Sequence, residues 1–164
     1  MAAHVARKHR AMAAEISVNR KALRDYHILE RIEAGVELKG TEVKAIRGGL
    51  ANVNNAYARV EKGQMFVYDV DIQPYVRASH EQHEPKRPRR LLLHRTEIDR
   101  LLGLTQIKGH TVVALRMYWK DARVKIELGV GKGKESVDKR ADLKTRATKR
   151  EMEREVSRFN KRHA

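Results

Sequence analysis

Val113-Ala114-Leu115-Arg116-Met117-Tyr118-Trp119-Lys120-Asp121-Ala122-Arg123-Val124-Lys125-Ile126-Glu127-Leu128-Gly129-Val130 reads as two strands and a turn. Val113, Leu115, Met117 and Trp119 alternate with their neighbours, Lys120-Asp121 turns the chain, and Val124, Ile126, Leu128 and Val130 alternate strictly with Arg123, Lys125, Glu127 and Gly129. Successive side chains of a strand point to opposite faces, so each run turns one apolar face toward a core. Working outward, Ala56–Glu61 and Gln64–Ile72 flank Lys62-Gly63, a Gly-containing two-residue connection that signals a second hairpin. In the second of those runs Phe66, Tyr68, Val70 and Ile72 are read on one face. Ile32, Ala34, Val36 and Leu38 alternate in the same way, and a short strand near Arg90–Leu93 brings the expected count to about six.

Two short helices interrupt the strands. Thr41–Arg47 is read as a helix capped by Thr41, with Glu42 in its first turn and Gly48 as its left-handed stop. Val43 and Ile46 are expected to face inward, and Lys44 and Arg47 to share another face. Thr96–Leu102 is the second helix, with Thr96 and Asp99 near its start, Gly103 as its stop, and Ile98, Leu101 and Leu102 plugging the sheet. The fold expected is mainly β with short helices, a small closed OB-like β-barrel. A two-layer α+β sandwich is the alternative.

Charge divides the chain further. Its 164 residues hold 36 Lys and Arg against 21 Asp and Glu, a formal charge of +15. Residues 1–24 carry +5, residues 25–128 carry +4 and residues 129–164 carry +6. The division that follows is a basic N-terminal arm (1–18), the barrel (19–130) and a basic C-terminal tail (131–164). The tail lacks Gly and Pro from Lys134 onward and is thin in apolar residues, so it is read as disordered when free and helical on a partner. Met152, Val156 and Phe159 would then form one helical stripe. A charge of this size calls for a polyanion. The absence of cysteine excludes a disulfide scaffold, a thiolate zinc site and a cysteine nucleophile, and fits a cytoplasmic location. The longest apolar runs, Leu91–Leu93 and Val112–Leu115, fall far short of the roughly 20 residues that span a bilayer. Met1–Ile16 has no apolar stretch, so no secretory signal and no membrane partner are expected.

Catalytic motifs fail on inspection. Gly129 to Lys134 resembles a phosphate loop but has three residues between its glycines, where four are needed, and Glu135 where a Ser or Thr should hold magnesium. His80 and His83 lack the spacing of a zinc-protease helix, and Pro85 and Pro88 place them in a loop, where they are read as solvated. No enzyme, metal or cofactor is expected. Nucleic-acid chemistry survives. Lys86-Arg87-Pro88-Arg89-Arg90 gathers four cations in five residues, Lys44, Arg47 and Arg59 add a patch, and Asn52, Asn54 and Asn55 offer neutral hydrogen-bonding groups. The eight aromatic residues show no RNP-type platform, which favours recognition of a folded RNA by shape and backbone. A structural ribosomal protein or a general RNA-binding module remains the alternative.

Several ordered segments carry a more specific likeness. Asn19-Arg20-Lys21-Ala22, Glu33-Ala34-Gly35-Val36-Glu37-Leu38-Lys39-Gly40-Thr41-Glu42-Val43-Lys44-Ala45-Ile46-Arg47, Arg90-Leu91-Leu92-Leu93-His94, Tyr118-Trp119-Lys120, Lys132-Gly133-Lys134 and Asp138-Lys139-Arg140 resemble the bacterial SsrA-binding proteins, the small protein B family. The resemblance runs from about Ile16 to the C-terminus. It implies an oligonucleotide-binding-type barrel that holds the tRNA-like domain of transfer-messenger RNA (tmRNA), enters stalled ribosomes with it, and acts as a monomeric binding factor. It assigns RNA binding to Glu33, Leu92, His94 and Lys125, beside the cations Lys44, Arg47, Arg89 and Arg90 read from the charge pattern. It places the tail, with Lys132, Lys134, Asp138, Lys139, Arg140, Lys144 and Arg146, in the empty mRNA path of the ribosome. The chain departs from the family pattern at Glu135, where Lys is common, and at Val137, where an aromatic or His is common.

Overall fold

The hairpin read at 113–130 is the spine of the molecule. In the computed structural model, which describes residues 14–78 and 81–162, it becomes β8 (His110–Lys120) and β9 (Arg123–Gly133), paired from His110↔Lys132 to Lys120↔Arg123. The remaining elements, in order, are β1 (Ala14–Val18), α1 (Arg20–Asp25), β2 (Tyr26–Val36), α2 (Gly40–Arg47), β3 (Ala51–Asn52), β4 (Tyr57–Glu61), β5 (Gln64–Tyr68), β6 (Asp71–Ile72), β7 (Arg89–Leu92), α3 (Arg95–Thr105) and α4 (Ser136–Arg162). Seven strands form one sheet in the order β1-β8-β4-β5-β7-β2-β9. The pairing of β8 with β9 closes its last six strands into a ring. β1 shares an edge of β8 with β4: it pairs along Arg116–Trp119, and β4 along Val112–Val113. The mainly β expectation holds, and the closed ring displaces the sandwich alternative.

The turns follow from local chemistry. Lys62 (φ 48°) and Gly63 (φ 75°) join β4 to β5 with both central residues left-handed, the twist that suits a two-residue hairpin. Asp121 (φ 50°) and Ala122 (φ 58°) do the same between β8 and β9, one position later than the sequence predicts. At the end of α2, Gly48 keeps a negative φ and Gly49 (φ 76°) takes the left-handed conformation.

Inside the ring lie Val124, Ile126, Leu128 and Val130 of β9, as their alternation predicts, with Val112, Ala114 and Met117 of β8, Met65 and Val67 of β5, and Ile98 and Leu101 of α3. Two expectations about facing are corrected. A bulge between Ala114 and Arg116 shifts the phase of β8, so Val113 and Leu115 turn away from Met117 and pack under Ala22 of α1. Along β5 the buried residues are Met65 and Val67; Asp69 (φ 56°) then resets the chain, and Val70 and Ile72 are buried while Phe66 and Tyr68 stay half-exposed.

The helices also differ in detail. The buried face of α2 is Glu42, Ala45 and Ile46, with Val43 half-buried. Its start is held by Glu42, whose Oε2 accepts the Lys39 N–H at 2.7 Å, rather than by Thr41. α3 begins after His94, with Glu97 Oε2 accepting the His94 N–H at 2.9 Å; it runs through Gly103 to Thr105 and leaves Leu102 exposed. Two elements were missed. β1 falls inside the segment assigned to the basic arm, and α1 covers the outer side of β8.

The tail, expected to be disordered in isolation, forms the single helix α4. Its root is tied to the ring: the Lys134 N–H donates to Asp25 O at 2.8 Å, Lys134 pairs with Asp142, Lys139 lies 3.8 Å from Asp25, and His27 Nε2 lies 3.4 Å from Asp138. Beyond the root, Leu143, Met152, Val156 and Phe159 are exposed.

Candidate nucleic-acid interface

Strand register lines up the face that carries the cleft. Leu92 of β7 pairs with Gly35 of β2, Gly35 with Lys125 of β9, and Lys125 with Tyr118 of β8, so four neighbouring strands place these residues in one row. Gly35 carries no side chain in the middle of that row; a Cβ there would stand 3.2 Å from Leu92 Cβ. The resulting dip belongs to a cleft of about 570 Å³ lined by Glu33, Arg90, Leu92, His94 and Lys125, with Gln64 at its rim. A second hollow, of about 470 Å³, shares Gly35, Leu92 and Lys125 with it and continues to Val43 of α2 and Trp119.

Glu33 stands directly opposite Glu127 in the β2–β9 ladder, a pairing of like charges that needs compensation. Both carboxylates have it. Tyr118 donates its hydroxyl to Glu33, and Lys120 Nζ donates at 2.8 Å. Arg116 Nε donates to Glu127 at 2.7 Å, with Arg31 at 3.4 Å. The Lys120 and Tyr118 hydrogen bonds hold the Glu33 carboxyl below the usual range, while burial and the Glu33 carboxylate push the Tyr118 hydroxyl well above its own. Glu33 is therefore an ionised acceptor fixed beside the cation of Lys125. Leu92, 53 % exposed, supplies an apolar contact, and His94 presents a ring at the start of α3. Cation, carboxylate, imidazole and apolar surface together suit sugar, phosphate and base edges of RNA.

The basic loop is redistributed. Arg90 is exposed, paired with Glu37 at 2.9 Å, and lines the cleft. Arg89 is fully buried and is removed from the interface. Its Nε donates to Glu42 Oε1 at 2.9 Å, Nη1 to Val70 O at 2.7 Å, and Nη2 to Pro85 O at 3.0 Å. Arg87 closes on the same carboxylate, with Nη2 2.7 Å from Oε2. Burial alone would raise the Glu42 carboxyl; the Arg87 and Lys39 hydrogen bonds and the Arg89 charge outweigh it and hold the pKa low. The reason for the correction is a buried carboxylate 47 residues away, invisible in the local charge pattern. His83, read as solvated, is buried beside this cluster, 3.0 Å from Thr41 Oγ1 and 2.8 Å from Ile72 O; His80 lies outside the described residues.

Lys44 and Arg47 are exposed on α2 and do not line the main cleft. They sit 5.9 Å and 5.8 Å from the ring centroids of Tyr75 and Trp119, which places Arg47 beside the hollow that continues from it. Arg59 is exposed and paired with Glu61. Among the tail residues, Lys134, Asp138 and Lys139 are engaged at the root of α4, while Lys132, Arg140, Lys144 and Arg146 face solvent. Sequence reasoning missed Gly35, Tyr118 and Lys120 as parts of the face. A glycine inside an alternating strand was the signal available for the first of these.

Comparison with known proteins agrees with this geometry. The family model described as SmpB protein matches residues 16–158. An SsrA-binding protein of Carboxydothermus hydrogenoformans is 51 % identical over 139 residues, covering 85 % of this chain and 93 % of the relative. That of Bacillus subtilis (strain 168) is 45 % identical, covering 85 % and 89 %. A solved structure described as "tmRNA-SmpB: a journey to the center of the bacterial ribosome" superposes with a TM-score of 0.62 at 42 % identity, covering 76 % of this chain and 85 % of that one.

Proposed function

The chain belongs to the SmpB family, and on that basis we propose that it binds the tRNA-like domain of tmRNA and brings that RNA to stalled ribosomes in trans-translation. The observation that carries the reading is the convergence of Glu33, Arg90, Leu92, His94 and Lys125 on one cleft from three strands and a helix start. Lys125 and Arg90 meet phosphates, Leu92 packs on sugar or base, and Glu33, held ionised, accepts from base or ribose donors. Lys44 and Arg47 extend the cationic face along α2. The tail acts separately. Ten cations and five carboxylates on α4 give it a net positive surface that suits a channel walled by ribosomal RNA, and it occupies the mRNA path near the decoding centre. No covalent chemistry is required of the protein; it is a binding factor, working as a monomer where translation occurs in the cytoplasm. Among the described residues no helix is long and apolar enough to cross a membrane.

The test is recovery of the full-length chain from cells and sequencing of the RNA bound to it. The expected result is strong enrichment of tmRNA, with ribosomes present in proportion to stalling. Constant stoichiometry on all ribosomes, without tmRNA enrichment, would identify a structural ribosomal protein instead.

A further inference from the structure

Between α1, the loop before β4 and the first residues of β8 lies another cleft, of about 230 Å³, that shares no lining residue with the RNA face described above. Tyr26 lines this cleft and Gly35 the first, at opposite ends of β2. Nine residues of strand separate them by about 30 Å at roughly 3.3 Å per residue. The cleft is smaller than the roughly 300–1,000 Å³ that accepts a drug-sized ligand, and suits one planar ring system.

Its chemistry is specific. Tyr57 lines it and ends a stack: its ring lies 5.4 Å from that of Tyr68 at 16°, and the Arg59 guanidinium lies 4.7 Å from the Tyr68 centroid. Asn54 and Asn55 stand next to Tyr57. Lys21 Nζ donates to Asn55 Oδ1 at 3.2 Å, which fixes that amide by its oxygen and leaves Nδ2 as a donor. The backbone N–H of Asn54 is held by Asn52 Oδ1 at 2.8 Å, while its own side-chain amide has no hydrogen-bond partner among the described residues. An asparagine amide presents a donor and an acceptor side by side, the match for adenine N6 and N7. Asp25, the one acid in the lining, is paired with Arg24 at 3.1 Å and lies 3.8 Å from Lys139, so its charge is offset, and Lys21 remains to meet a phosphate.

The geometry points to this cleft as a pocket for a single unstacked RNA base, with adenine the best match, seated at the root of the tail helix. The ring of the base lies against Tyr57, its edge meets Asn54 and Asn55, and its phosphate meets Lys21. Because the Asp25 carbonyl also accepts the Lys134 N–H, a base here sits where the tail leaves the ring. The inference rests on the reading of the chain as an RNA-binding factor. The base chemistry is the same whether tmRNA or ribosomal RNA supplies it.

The full-length protein is titrated with tetraadenylate and with an abasic tetramer of the same backbone, following the side-chain amide signals of Asn54 and Asn55 by NMR. Saturable shifts with tetraadenylate alone are expected, weakened about tenfold or more in Asn54→Leu, an exposed position whose change leaves the fold intact. An equal response to the abasic tetramer, or unchanged binding by Asn54→Leu, overturns the pocket. Ultraviolet crosslinking of the peptide around Tyr57 then separates the sources. Adenosine crosslinked from tmRNA alone assigns the base to tmRNA, crosslinking that requires stalled ribosomes and carries ribosomal RNA assigns it there, and absence of both overturns the proposal. Failure of tmRNA binding by the wild-type chain would count against the proposed function, and the tetramer titration would still report on the pocket.

Discussion

The loop at 86–90 and the helix α4 are both rich in arginine and lysine, and the structure uses them in opposite directions. In the loop, Arg87 and Arg89 turn inward onto Glu42, and Arg89 adds hydrogen bonds to three backbone carbonyls, so the cations tie a long connection to the ring. Along α4 the cations are solvent-facing beyond the first turns, and the apolar residues that could have packed the helix down are exposed. Density of positive charge is therefore a poor guide to a nucleic-acid surface by itself. What decides the outcome is whether a carboxylate elsewhere in the chain has been buried within reach.

The largest expected effect breaks the inward set. Glu42→Gln leaves Arg89 buried without a counter-charge and should cost about 3–5 kcal/mol in urea unfolding, as removal of one partner from a buried pair does. A loss below about 1 kcal/mol would mean that the backbone carbonyls suffice to hold Arg89. Acid probes the same contact. The Glu42 carboxyl is held below its ordinary value, so its stabilisation is fully present above the unfolded-state pKa and is lost as pH falls through the lowered folded-state value. The urea midpoint of the wild type should fall more steeply below about pH 4.3 than that of Glu42→Gln.

A smaller effect separates neighbours in the loop. Arg90→Ala should reduce the salt dependence of RNA binding by about one unit of slope with little change in stability. Arg89→Met should do the reverse, lowering stability while leaving the slope of the folded protein unchanged. The smallest effect concerns the frame alone. Ala122 holds a left-handed conformation in the β8–β9 turn, so Ala122→Gly should raise stability by up to about 1 kcal/mol without altering RNA affinity, read from thermal unfolding and a binding titration.

The same contrast explains how much was legible in advance. Val124 to Val130 was read correctly because β9 keeps one phase over that run, and Lys62-Gly63 because left-handed turns demand such residues. Val113 to Trp119 looked equally regular, yet a single bulge at Leu115 exchanges its faces; alternation on both sides of a bulge is preserved while its meaning is inverted. Phe66 to Ile72 failed for the related reason that Asp69 resets the strand. β1 escaped notice because it pairs at an edge within a segment set apart by its basic composition. On the RNA face, Arg90 was visible as charge, and Glu33, Leu92, His94 and Lys125 came from family resemblance. The row that unites them depends on Gly35 and on strand register, which no local pattern encodes.

The division of labour between ring and tail is tested most directly by the dissociation constant of the tRNA-like domain of tmRNA for two variants. One is the chain ended after Lys134, and the other is full-length Leu92→Asp, which puts a carboxylate on the exposed RNA face. The truncated chain should keep its affinity within about twofold and lose tagging on stalled ribosomes, while Leu92→Asp should bind about tenfold or more weakly. Loss of affinity on truncation, with Leu92→Asp binding as tightly as the wild type, would contradict the account.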